Sequence, residues 1–190
     1  MSLIAALKDW RFLIIFTISF LSGLYQIFIV MNLKIIYMPI VRDDYFLVEC
    51  AILSTGLSIA GAFFWGYLGD KLGFVKTLLL FSLLDAVVKI CGVFALSKIQ
   101  ILLLFAGIGL VDKAMLTIMG PGLVEIFGIE TATELLPYKG ISIFLGYVVA
   151  PLGYIILSGM LSIQGYLGVL CIFSIVCILL AGKLYSICVK

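Results

Sequence analysis

Between Gly140 and Gly182 the chain carries no charged residue, and it carries none between Phe12 and Leu33. An α-helix rises 1.5 Å per residue, so about twenty apolar residues cross the roughly 30 Å hydrocarbon core of a bilayer. The shorter run suffices for one crossing. The longer is too long for a single helix and is divided at "SIQG", Ser162 to Gly165. Hydrophobic residues make up 65% of the chain and charged residues 12%, against about half and a quarter in soluble domains. The main solvent of such a chain is lipid.

Extending the same reading predicts six membrane spans, at about 12–36, 46–69, 75–97, 99–124, 140–161 and 165–185. The predicted fold class is an all-α membrane protein, a single six-helix transmembrane domain over 1–190. The first span is longer than the apolar part of a secretory signal, and no small-x-small cleavage pattern follows it. It is therefore expected to be a span rather than a leader.

Basic residues set the expected orientation. Lys8, Arg11, Lys71, Lys76, Lys139, Lys183 and Lys190 fall on the side of the termini, against Lys34, Arg42 and Lys98 opposite. The positive-inside rule then puts both termini on a cytoplasmic or matrix-like side. The chain has no histidine, and its five cysteines form no CxxC pair. No metal or cofactor site, no nucleic-acid partner and no enzymatic constellation is expected.

Ionisable groups within the spans are the functional candidates, because each costs about 2.5–3.5 kcal/mol at a helix centre on insertion scales. Asp85 and Lys89 stand i, i+4 on one face of the third span and read as a buried ion pair, although Lys113 is also within reach of Asp85. Asp112 and Lys113 are adjacent in the fourth, so their side chains should diverge by about 100° and not serve one partner. They are expected either on a solute pathway or in an internal ion pair that fixes helix packing. In the first span Ser19, Ser22 and Gln26 form one stripe beside Tyr25. It reads either as a solute face or as hydrogen bonding between helices. Gly120-Pro121-Gly122 is expected to bend the fourth helix, since proline removes an amide donor.

The joint between spans two and three is "GYLGDKLGFVK". Gly66 and Gly69 allow close backbone approach, Gly73 takes a turn, and Asp70 is placed to cap the third helix. With Gly66, Asp70, Lys71 and Gly73 followed by Lys76, this joint resembles the signature loop of the major facilitator superfamily. Other stretches resemble the C-terminal six-helix half of its monocarboxylate and oxalate/formate carriers: "ALKDWRFLIIF", "MNLK", Phe105 to Gly128 with its closing Glu125-x-Phe127-Gly128, and "VAPLG" from Val149. Phe74 stands where the signature loop has a basic residue. Ala62 follows Gly61 where such carriers often place an anion-binding arginine.

The resemblance implies half of a major facilitator fold, made of two inverted three-helix repeats. It implies a gating role for Gly66, Asp70, Lys71, Gly73 and Lys76, with spans one, two, four and five lining a cavity. Two functions follow as expectations. One is secondary transport of a small solute together with a second six-helix half, with Ser22, Tyr25, Gln26, Asp112 and Lys113 on the pathway. The other is a transport-inactive structural or assembly subunit of a larger membrane complex.

Overall fold

The structure, a computed structural model, describes residues 9–188. Lys8 and Lys190, two of the basic residues used for orientation, lie outside the described residues. The described residues form seven helices: α1 (Trp10–Val41), α2 (Asp44–Leu72), α3 (Phe74–Val93), α4 (Lys98–Asp112), α5 (Ala114–Phe127), α6 (Ile129–Leu157) and α7 (Ile163–Cys188). There is no strand among the described residues. Helices α4 and α5 continue one another across Lys113, so the described residues make six helical passes. Five of these are long and apolar enough to cross a membrane, taking Lys98–Phe127 as one. The other, α3, is 20 residues long and carries Lys76, Asp85 and Lys89. These are the features of an integral, multi-pass membrane protein.

Local chemistry fixes the helix starts. Asp9 and Asp43 accept amide hydrogens at the first turns of α1 and α2, from Arg11 and Phe46. Ser97 and Gln100 form a reciprocal capping box at α4. That box is why the third span ends at Val93 rather than near residue 97.

Several boundaries differ from the sequence expectation. Helix α6 begins at Ile129, eleven residues before the expected span, because Gly128 (φ +79°) turns the chain sharply and Ile129 to Lys139 continue as helix. The fourth pass breaks at Lys113, not at Gly120-Pro121-Gly122, which lies inside α5. Near the break the Trp65 indole Nε1 donates to Leu110 O at 2.8 Å. A side chain that takes a carbonyl from the last turn is a recognised cause of such breaks. The nearby approach is close: a Cβ on Gly61 would lie 2.5 Å from Leu110 O, and one on Gly109 would strike Ser54 O. Two glycines thus let the backbones of α2 and α4 touch.

Two apolar cores fill the bundle, one toward each end. The core near the termini centres on Phe12, Trp65, Phe74, Phe81 and Leu184. The other centres on Phe28, Tyr37, Phe105 and Tyr166. Helix α7 packs on α3 and α1, α2 on α4, and α1 on α6. The exposure is uneven. In the most apolar stretch of α1, 56% of residues are buried, against 22% in α2 and 17% in α6. The two most exposed spans flank the same open face.

Candidate functional site

That face holds a groove of about 560 Å³ between α1, α2, the α4–α5 break and α6. Helix α1 contributes Ser19, Ser22 and Gln26; α2 contributes Ser54, Thr55 and Ser58; α6 contributes Lys139 and Tyr147. Asp112 and Lys113 come from the break itself. The four spans expected to line a cavity do line it, and α3 does not.

Asp112 and Lys113 correct the expectation of divergent side chains. Their carboxylate and ammonium meet at 2.6 Å. A continuous helix would hold them about 100° apart, but the helix is interrupted at Lys113 (φ −91°, ψ −1°), and there the two side chains meet. Both remain partly open, Asp112 by 32% and Lys113 by 45%. Thr117 uses both its amide and its hydroxyl to bind Lys113 O, which secures the start of α5.

Tyr25 is not in the groove. It is fully buried, and its hydroxyl donates to Lys89 O at 3.0 Å while its ring lies 5.6 Å below the Lys89 ammonium. The Asp85–Lys89 pair is present as expected, with Lys89 rather than Lys113 as the partner, and each residue is 1% exposed. Ser22 joins the two sites. Its side chain lines the groove, its hydroxyl donates to Asp85 Oδ2 at 3.3 Å, and its carbonyl accepts from Lys89 Nζ at 3.1 Å.

Some groove atoms have no hydrogen-bond partner among the described residues. These are Ser19 Oγ and Gln26 Nε2, both shielded from solvent. Buried polar atoms are usually satisfied, and these two stand on residues that line the groove.

Sequence reading missed Lys139 and Tyr147 as groove residues and placed Lys139 at the membrane surface. Because α6 starts at Ile129, Lys139 is ten residues inside the helix, about 15 Å from its start. Its ammonium donates to Met115 O and Leu116 O at 3.2 Å each. The available signal was the i, i+4, i+8 stripe Lys139–Ile143–Tyr147. Ser54 and Ser58 form a similar i, i+4 pair.

At the end near the termini, Gly66, Asp70 and Gly122 border a small crevice of about 240 Å³ against α5. Asp70 does not cap α3. It lies in the last turn of α2, and the α3 cap position is Gly73 (φ +79°). The carboxylate that binds the α3 terminus is that of Glu125, whose Oε2 accepts from Phe74 N at 2.9 Å. Lys71 turns back on its own helix, donating to the Tyr67 hydroxyl at 3.2 Å. Lys76 is exposed. No family model matches the chain, and no curated protein matches it.

Proposed function

We propose that the chain is a major-facilitator-like half-transporter that carries a small solute with a second six-helix half. The observation that supports this is the groove: Ser22, Gln26, Asp112 and Lys113, chosen from sequence as pathway residues, meet there with Lys139. Charged and polar side chains at membrane depth are costly in lipid and are found facing a bundle interior or a wetted cavity. A facing half would supply the missing wall, seated on the exposed flanks of α2 and α6. In this reading the fold is two inverted three-helix repeats, and both termini lie on the cytoplasmic or matrix-like side. The α2–α3 joint is the gate.

A cysteine placed at Ser54 or Ser58, in a background without the native cysteines, tests alternating access. Transport predicts that membrane-impermeant thiol reagents modify it from either side of sealed vesicles. Modification from one side alone under all conditions would refute it.

A second reading, an assembly subunit without transport, draws on Phe74. Where a gating loop would offer a basic residue, Phe74 is 2% exposed and its ring fills the space above Gly122. A joint anchored in a core is a fixed corner. One-sided labelling together with co-purification of a larger membrane complex would favour this reading.

A further inference from the structure

The polar groove does not end at its own walls. Val30, Met31, Leu33, Ala51 and Thr55 line it and also line a second groove, of about 730 Å³, that runs between α1 and α2 toward the end away from the termini. The second groove is walled by apolar side chains, and much of that wall faces lipid: Val30 is 60% exposed, Ile35 63% and Ile52 67%. Lys34 is the one charged residue on it. The two form a continuous slot, polar at the bundle centre and apolar where it opens sideways into the bilayer. Each part has the volume of a small-molecule site, roughly 300–1,000 Å³.

We infer that this slot binds a single-chain zwitterionic phospholipid, with its head in the polar groove and its acyl chain between α1 and α2. The inference rests on the reading of the groove as a solute site and names the solute. The apolar branch demands a chain. An acyl chain lies along Val30 and Ile52 without desolvating anything polar, whereas a polar solute there would lose its hydration. The polar branch suits a head with both signs, because Asp112, Lys113 and Lys139 all line it and a zwitterion can meet a carboxylate as well as the two ammonium groups.

Two ammonium groups, Lys113 and Lys139, suit a phosphate. Asp112 and the Tyr147 ring suit a quaternary ammonium, which carboxylates and aromatic faces both attract. Ser19 supplies an independent observation at the same wall. Ser19 is only 5% exposed, lines the groove, and its hydroxyl has no partner among the described residues.

The test uses the full chain in mild detergent, with retention of added amphiphiles read by native mass spectrometry. The probes are palmitoyl lysophosphatidylcholine, palmitate, monopalmitoylglycerol and glycerophosphocholine. The expected result is retention of lysophosphatidylcholine at least about tenfold tighter than any of the other three. Ala51→Trp plugs the junction of the two branches at an exposed position and should abolish the preference. Val30→Trp, also exposed, serves the same purpose should the first variant fold poorly.

Equal retention of all three chain-bearing probes would mean ordinary boundary lipid and would overturn the inference. So would a preference for palmitate, or head-only binding as tight as the intact lipid. Specific retention without movement of a fluorescent lysophosphatidylcholine between leaflets would keep the site and remove the transport reading. Two-sided thiol access without specific retention would do the opposite.

Discussion

Replacing one member of the Asp85–Lys89 pair should destabilise the bundle far more than replacing both. The two groups sit between the two apolar cores, each 1% exposed. The ammonium is held by Asp85 Oδ2, by Ser22 O at 3.1 Å and over the Tyr25 ring. The carboxylate is less well served: Oδ2 takes Lys89 and the Ser22 hydroxyl, while Oδ1 has no partner. Asp85→Asn strands a buried ammonium, and Lys89→Met strands a buried carboxylate. Breaking a buried pair from one side costs about 3–5 kcal/mol.

The double variant removes both charges and keeps similar volumes. Replacing a whole buried pair by neutral groups is commonly neutral or better. We therefore expect the double variant within about 1 kcal/mol of the parent, a coupling energy of several kcal/mol. Trp65 reports unfolding well, being buried and edge-on to Phe81 at 5.7 Å. In a Trp10→Phe background, titration of mixed micelles with dodecyl sulfate, followed by tryptophan fluorescence, yields the four free energies of the cycle. Single losses that simply add, or single losses under about 1 kcal/mol, would show that the charges do not meet in a dry interior.

Three further outcomes follow from the same geometry. Gly109→Ala should destabilise by about 1–3 kcal/mol, because its Cβ meets Ser54 O and α2 must move away from α4; Gly120→Ala, with nothing within 4 Å, should be neutral or better in the same unfolding assay. Glu125→Ala should cost about 1 kcal/mol through loss of the α3 cap, with Glu125→Gln intermediate because it keeps an acceptor for Phe74 N; equal stability of all three would refute the cap. The Lys98 ammonium, then the Phe46 amide, hold the Asp43 carboxyl below its ordinary value. A depressed carboxyl stabilises the fold above its unfolded value of about 3.9 and loses that contribution as pH falls through the folded value. Crosslinking between the α1–α2 and α3–α4 turns should therefore fall only below about pH 4, and at neutral pH in Asp43→Asn.

The number of passes was legible because length and charge alone decide it: a run without charge as long as Gly140–Gly182 has few ways to exist in water. The Asp85–Lys89 pair was legible for a similar reason, since i, i+4 spacing makes two costly groups neighbours without help from the rest of the fold. What failed was what depends on contacts across helices. Asp70 looked like the cap of α3 because it precedes that helix in sequence. The capping carboxylate instead comes from Glu125, fifty-one residues beyond Phe74. The fourth pass is interrupted where no proline stands, at Lys113, just beyond the Leu110 carbonyl that accepts from the Trp65 indole. Tyr25 shares the stretch of α1 with the groove stripe, yet a rotation of about 100° per residue takes it from Gln26's face to the back of the helix. There it closes over Lys89.

These misplacements bear on how the groove is held. Ser22 is the one residue that serves both sides of α1, facing the groove while binding both Asp85 and Lys89. The floor of the groove is therefore fastened to α3 by a fully buried ion pair, and α3 in turn packs on α7. The opposite wall has no such anchor. It is built at the Lys113 break, where Asp112 and Lys113 are tied mainly to each other, and along α6, where Lys139 binds two carbonyls of α5. The back of the groove, α1, α3 and α7, is thus joined by a buried ion pair and core packing, whereas its front is joined by the contacts at the break and at Lys139. An occupant that offers a phosphate to Lys113 and Lys139 and a cation to Asp112 replaces those internal contacts charge for charge. Its binding energy is then directed at the break in the fourth pass, where the helix is already interrupted.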